Sequence, residues 1–451
     1  KLDLFDVYGS VWFGAIYVLL MVSLVGCIIP RTIVYARNIR SEPPAAPRNL
    51  LRLPDHASYD TSESPEAVAE RARAVLTQRG YRLRAPREGE EGISAERGYL
   101  REVGNLVFHL SVLIVLAGFA TGGLLGYKGG VILVQGTTFS NNLTSYDDFV
   151  PGSLFQADRM EPFSFTVDDF DIDWLTSGPR QGMARGFQAH LRYRESPDDA
   201  EQDYDLKVNH PLKIGSTEVF LIGHGYAPVI TIRDGDGNVV YSRPTVFLPT
   251  DASFLSLGVV KAPDAQPQGI GLEGLLYPTY VKLGGDPVNV MGDDKNPLLS
   301  MLVYTGDLNM DDPAGQSVYL LDKSKATKVL KPDGSDFRID LSLGETVELP
   351  DGLGSVTFDS ITPWTRLQVS QTPGKLVALA GVSLALLGLL GSLFIRPRRV
   401  WVRTRRQGAG TLVEVAALDR SGGGDVAPVL EEIVTALQAG TDRRTPDEET
   451  S

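Results

Sequence analysis

Few side chains in this 451-residue chain are suited to metal or nucleophilic chemistry: it has five histidines and one cysteine. With Cys27 alone there is no intramolecular disulfide, no CxxC redox pair and no CxxCH haem-attachment site. Cys27 ends an apolar run, where cysteine packs as a small hydrophobe. The sequence contains no P-loop, HExxH, GxSxG or paired-cysteine zinc spacing. His210 and His224, fourteen residues apart in VNHPLKIGSTEVFLIGHGYAP, have no spacing that sets them on one face of one element. Together with His190 they are expected at the surface or in turns, and His56, in LPDHASYD, is expected in a loop.

His109 is different, because it interrupts REVGNLVFHLSVLIVLAGFATGGLLG, residues 101–126. From Gly104 to Gly126 that stretch holds 23 residues and no formal charge. At a helical rise of about 1.5 Å per residue it covers a hydrocarbon core of roughly 30 Å. An ionisable side chain there costs a few kcal/mol unless it is paired. His109 is therefore expected either to hydrogen-bond to a neighbouring helix, to relay protons, or to ligate iron, neutral imidazole being a common axial ligand of haem. It lies roughly 8 Å in from Gly104, near one leaflet.

The elements that must position His109 can be read from the same hydropathy argument. Residues 10–30 and 376–395 are also uncharged and rich in Leu, Val, Ile, Ala and Gly, which makes three spans. A mean hydropathy of -0.05 hides them, since the apolar residues are concentrated. Lys and Arg are retained on the cytoplasmic side of a span. Arg31, Arg37 and Arg40 follow the first span; Arg84, Arg87, Arg97 and Arg101 precede the second; RPRRVWVRTRR, residues 396–406, follows the third. All three place the long segment between the second and third spans outside. The start of the chain, with Asp3 and Asp6, then also lies outside, which leads us to expect a further helix upstream of Lys1.

The expected organisation is an external flank (1–9), a transmembrane helix (10–30) and a cytoplasmic linker (31–103). A second transmembrane helix (104–126), an extracytoplasmic β domain (127–373), a third transmembrane helix (374–396) and a cytoplasmic tail (397–451) follow. In the linker, SPEAVAERARAVLTQRG has Ser64 as N-cap, Pro65 in the first turn and Gly80 as stop, and YRLR is expected to pair with the stretch around Ile93 as a small hairpin. In the tail, TLVEVAAL reads as a strand and APVLEEIVTAL as a helix, with the end TDRRTPDEETS disordered. Residues 127–373 read as β throughout, in runs such as GGVILVQ, FQAHLRYR, TEVFLIG, PVITIRD, LLSMLVYTG and SVTFDSI separated by turns such as RDGDGN and KPDGSD. The fold class is thus an integral membrane protein whose transmembrane α-helices carry a large all-β domain, an antiparallel sandwich or barrel-like assembly. That domain has 19 basic and 34 acidic residues, a net charge of -15, against nucleic acid or anionic lipid as its partner.

Taken in order, four stretches resemble the ResB (CcsB) family of the second cytochrome c maturation system (system II), over nearly the whole chain. They are SVWFGAIYVLLMVSLVGCIIPR, AERGYLREVGNLVFHLSVLIVLAGF, VNHPL with GYAP, and QVSQTPGKLVALAGVSLALLGLLGSLFIRPRRVWVR. The resemblance implies a four-helix protein of the bacterial plasma membrane, both termini inside, whose large external domain lies between the last two helices. It implies a multi-spanning partner of the ResC (CcsA) type with a tryptophan-rich haem-binding segment. Together the two would export haem and promote its thioether attachment to the CxxCH of apocytochromes c, with thiol-reducing membrane proteins as further implied partners. On this resemblance His109, in its FHL context, is one axial ligand of a haem b shared with the partner. Arg97 and Arg101 are candidates for the propionates, although as topology anchors they need no ligand. The chain would then be a non-autonomous component of a cytochrome c synthetase (haem lyase), its external domain a scaffold for apocytochrome. Two alternatives are a membrane-anchored binding or scaffold module without haem, and a metal-dependent enzyme using His210 and His224.

Overall fold

The computed structural model describes residues 7–85, 92–175, 177–178, 182–310, 317–421 and 425–439. Asp3, Asp6, Arg87 and the end TDRRTPDEETS lie outside the described residues. The chain divides into two units, residues 1–120 with 374–451 and residues 121–373. The described helices are α1 (Val11–Asn38), α2 (Pro65–Gln78), α3 (Arg101–Leu125), α4 (Lys375–Phe394) and α5 (Ala427–Gln438). Of these, α1, α3 and α4 are long and apolar enough to cross a membrane.

Helix α1 starts where the Ser10 hydroxyl accepts the Phe13 amide at 3.3 Å, and it runs past Pro30 to Asn38. Proline removes only one hydrogen bond of the ladder, and a membrane helix tolerates that loss. The apolar run therefore marks only part of this helix, and Arg31 and Arg37 ride on its last turns. Cys27 is exposed on α1 rather than packed against the rest of the chain, because α1 buries no residue along its length.

The rest of this unit is a five-stranded antiparallel sheet in the order 55–61, 410–419, 398–407, 93–97, 82–83. The Ser64 hydroxyl caps α2 by accepting the Ala67 amide, and Gly80 follows its end with φ at +75°. Val68, Ala72 and Leu76, one helical stripe, pack with Leu430, Ile433 and Leu437 of α5 onto Val400, Val402, Val413 and Val415. The basic run after the third span is thus also a central strand. Its alternation sends valines to the helices, while Trp401 goes to the other face with Leu50 and Ala416. His56 corrects the loop expectation: it lies on the strand Asp55–Thr61, opposite Ala416, its Nδ1 2.7 Å from the Leu53 carbonyl oxygen.

The second unit is built from antiparallel sheets, as its turn-punctuated runs predict. Two strands organise it, Thr217–Arg233 and Gly354–Gln371, of 17 and 18 residues, paired from Thr217 with Gln371 to Arg233 with Ser355. Their ends serve two cores. Val219, Leu367 and Val369 pack with Phe139, Phe163 and Phe165, while Ile230, Ile232, Val356 and Phe358 pack with Phe247, Leu272 and Leu299. Each fully buried phenylalanine or leucine contributes about 1.5–3 kcal/mol. Between the cores, Trp364 lies across Gly225 and its Nε1 donates to the Tyr226 and Phe247 carbonyl oxygens, both at 3.1 Å. A Cβ on Gly225 would sit 2.4 Å from that indole. Glycine there makes room for the tryptophan and is not a turn.

Candidate functional site

The membrane helices are arranged by small residues. On α3, Gly104, Ser111 and Gly118 recur every seven residues and are the buried positions, and α4 answers with Ala378, Gly381 and Gly388. Without side chains between them the backbones meet: a Cβ on Gly104 would fall 2.5 Å from the Ser392 amide nitrogen, and one on Gly118 2.7 Å from that of Ala378. In lipid, where apolar burial drives nothing, such close contact is what holds helices together. Along α1, Arg31 pairs with Glu102, and the Tyr17 hydroxyl donates to the Leu116 carbonyl oxygen.

His109 lies midway between Glu102 and Leu116, seven residues from each, and so shares their stripe to within about 20°. It is two residues from Ser111, roughly 160° around the helix from the α4 seam. The imidazole is half-buried, edge-on to Phe108, and Nδ1 lies 2.8 Å from the Asn105 carbonyl oxygen. A carbonyl oxygen only accepts, so Nδ1 is the donor in this contact and Nε2 is the nitrogen left for another partner. A metal-ligating histidine likewise gives its other ring N–H to a backbone carbonyl or a carboxylate. The residues present therefore fit one axial bond to a haem iron.

Arg101 begins α3, about 12 Å along the axis from His109. Its Nε donates at 3.0 Å to the Ser392 carbonyl oxygen in the last turn of α4, satisfying an orphan acceptor at the negative end of that helix. With Arg31, Arg82, Glu96, Glu102 and Arg420 it lines a cleft of about 350 Å³. Arg97 is not among the lining residues. It ends the strand Ile93–Arg97 and is exposed opposite Arg398. Glu96 beside it is buried between Arg399 at 3.2 Å and Arg420 at 3.6 Å. The cleft was not read from the sequence, since Arg82 and Arg420 gave no signal of their own.

Of the histidines in the β unit, His190 and His210 are near or at the surface. His190 sits between Asp171 at 3.0 Å and Asp205 at 2.8 Å; the bond to Asp171 foremost raises its pKa, partial burial opposing. His210 lies in a turn, Nδ1 3.2 Å from the Val208 carbonyl oxygen. His224 overturns the surface expectation: it is 7% exposed within a continuous strand, and burial lowers its pKa to about 4. Among the described residues no group of three or more His, Cys, Asp or Glu side chains is placed to hold a metal ion, which leaves the metal-enzyme alternative without a site.

Three membrane-length helices, the second and third clamped together by small residues, with a large antiparallel β unit inserted between those two, define a polytopic membrane protein with a β domain between two spans. The sequence profile of the ResB-like family matches residues 1–428, and the chain belongs to that family. Similar proteins include the cytochrome c biogenesis protein CcsB of Synechococcus sp. (strain CC9902), 25% identical over 71% of this chain and 72% of the relative. CcsB of Synechococcus sp. (strain WH7803) is 27% identical over 69% and 70%. CcsB of Paulinella chromatophora is 24% identical over 89% and 78%.

Proposed function

We propose that the chain is the haem-handling subunit of a system II cytochrome c synthetase, working with a multi-spanning ResC (CcsA)-type partner to export haem and attach it to apocytochromes c. The observation that carries this reading is His109, an imidazole in a membrane helix with Nδ1 bound to the Asn105 carbonyl, at a position on the side of α3 away from the α4 seam. One histidine supplies one axial bond, so a haem b held there takes its second ligand from the partner, and stable binding requires both subunits. Arg101 and Arg97, at the same end of α3, are the cations offered to the propionates.

The sidedness belongs to this reading. The basic ends of α1, α3 and α4 all meet the small sheet that carries α2 and α5, which supports a cytoplasmic position for that sheet and an extracytoplasmic one for the β unit. Each thioether forms by addition of a cysteine S–H across a haem vinyl C=C, sulfur to one carbon and hydrogen to the other. Neither oxidant nor leaving group is needed, and what the proteins supply is orientation. The β unit acts as the surface that holds the apocytochrome.

The test is the visible absorption spectrum of the chain co-purified with its partner, wild type beside His109→Ala. A low-spin Soret band present in wild type and lost or shifted in the variant supports the assignment. Identical spectra refute His109 as the ligand, and colourless preparations favour a scaffold without haem.

A further inference from the structure

In the β unit, the strand Asp148–Pro151 runs antiparallel to Tyr127–Val134, with Val150 opposite Lys128 and Pro151 opposite Tyr127. Past the end of that ladder the chain keeps its course alongside the last turn of α3. The Gly152 amide donates to the Gly126 carbonyl oxygen at 2.8 Å, and the Leu154 amide to that of Leu124 at 2.7 Å. Both oxygens are among those a helix leaves without partners at its C-terminal end. A Cβ on Gly152 would lie 2.5 Å from the Leu124 oxygen, so the two backbones touch.

These bonds fix the depth of the segment. Counted from Gly104, where the uncharged stretch begins, Leu124 lies twenty residues on, about 30 Å, which is the thickness of a hydrocarbon core. Helix tilt only draws it further in. Leu154, bonded to Leu124, shares that depth, at the boundary between acyl chains and headgroups. Irregular backbone is tolerated there where its polar groups find partners in the protein. The amides of Gly152, Leu154 and Phe155 all do, the last on the Gly152 carbonyl oxygen at 3.0 Å.

The side chains divide between protein and surroundings. Phe155 packs inward, its ring centroid 5.4 Å from those of both Tyr127 and Phe149. Leu154 beside it is 59% exposed and Val150 66%, and Leu124 and Leu125 of the helix are exposed as well. Lys128 is exposed, and as ladder partners Lys128 and Val150 project to the same face. Leucines at the acyl boundary, with a flexible cation nearer the water, match the two ends of a phospholipid: acyl chains against the leucines, phosphate against the ammonium. We propose that residues 150–154 dip into the bilayer leaflet at the C-terminal end of α3 and bind phospholipid through Leu154 and Val150, with Lys128 at the headgroup. The β unit thereby has a lipid contact of its own, beyond the helices that tether it.

The experiment uses the full chain with Cys27, its only cysteine, replaced by serine. Single cysteines introduced as Leu154→Cys, Val150→Cys or Val239→Cys carry an environment-sensitive nitrobenzoxadiazole fluorophore. Val239 is the control: it is 49% exposed and opposes Arg233, sixteen residues along the strand from Thr217, roughly 50 Å from the rung that Thr217 shares with Gln371. Each protein is reconstituted in nanodiscs of phosphatidylcholine, or of phosphatidylcholine brominated high in its acyl chains. The brominated lipid should cut the emission of Leu154→Cys at least twofold, that of Val150→Cys less, and that of Val239→Cys not at all. A thermal melt checks that the labelled variants are folded. Emission from folded Leu154→Cys that ignores bromine, or equal quenching of Val239→Cys, overturns the proposal. The multi-spanning partner is the rival occupant of this surface. Quenching of Leu154→Cys that persists in the co-purified complex supports lipid, and quenching that vanishes there assigns the surface to the partner and overturns it.

Discussion

Placing valine at Gly104 and Gly118 should part α3 from α4. A Cβ on Gly104 would lie 2.5 Å from the Ser392 nitrogen and 2.7 Å from the Gly388 carbonyl oxygen; on Gly118 it would lie 2.7 Å from the Ala378 nitrogen and 2.9 Å from the Gly374 carbonyl oxygen. Favourable heavy-atom separations are about 3.5–4.0 Å, so the helices must move apart by roughly 1 Å, forfeiting a quarter to a half of the dispersion energy at the seam. Every clashing atom is backbone, so no rotamer change relieves the overlap. Overpacking of this kind costs about 1–3 kcal/mol per site. Valine and glycine differ little in helix propensity, by about 0.4 kcal/mol, so propensity does not cancel it. The two sites are fourteen residues apart, about 21 Å along the axis, and should add to roughly 2–6 kcal/mol. Gly123→Val is the control, because a Cβ there meets nothing within 4 Å. Steric-trap unfolding in bicelles measures all three. If Gly104→Val is as stable as Gly123→Val, close backbone contact is not what holds α3 against α4.

Two further outcomes follow from the β unit. His224 is held at about 4 against an unfolded value near 6.5, so its neutral ring stabilises the fold fully above pH 6.5. As pH falls from 6.5 to 4 the unfolded chain gains a proton that the folded one refuses, and about 3 kcal/mol is lost; melting profiles of wild type and His224→Phe that stay parallel over that window would contradict this. Trp364→Phe should cost about 2–4 kcal/mol in chemical denaturation, because the Phe247 carbonyl loses its indole donor and a void opens, whereas the Tyr226 carbonyl keeps the Phe247 amide.

Much of the architecture was legible in the chain because its signals are local. Uncharged runs of bilayer length marked the membrane helices, Ser64, Pro65 and Gly80 marked both ends of α2, and alternating runs with Gly, Asp and Asn turns marked an antiparallel β domain. His109 stood out for the same reason, as an ionisable group in an apolar run. Where a residue's meaning depends on what packs against it, the sequence was silent or misleading. TEVFLIG and PVITIRD looked like two strands broken at GHGYA, but Thr217–Arg233 is one strand, since Gly225 is small to admit Trp364 and not to turn the chain. Cys27 looked like a packing residue in its apolar run, and it is exposed because, among the described residues, no other helix covers that side of α1. By itself the sequence determined which segments enter the membrane and which form sheets, because hydropathy and turn chemistry act between near neighbours. Only the tertiary structure decided which histidines are buried, that Arg101 caps α4, and that His109 faces away from the α4 seam, because burial and pairing are set by residues tens to hundreds of positions apart.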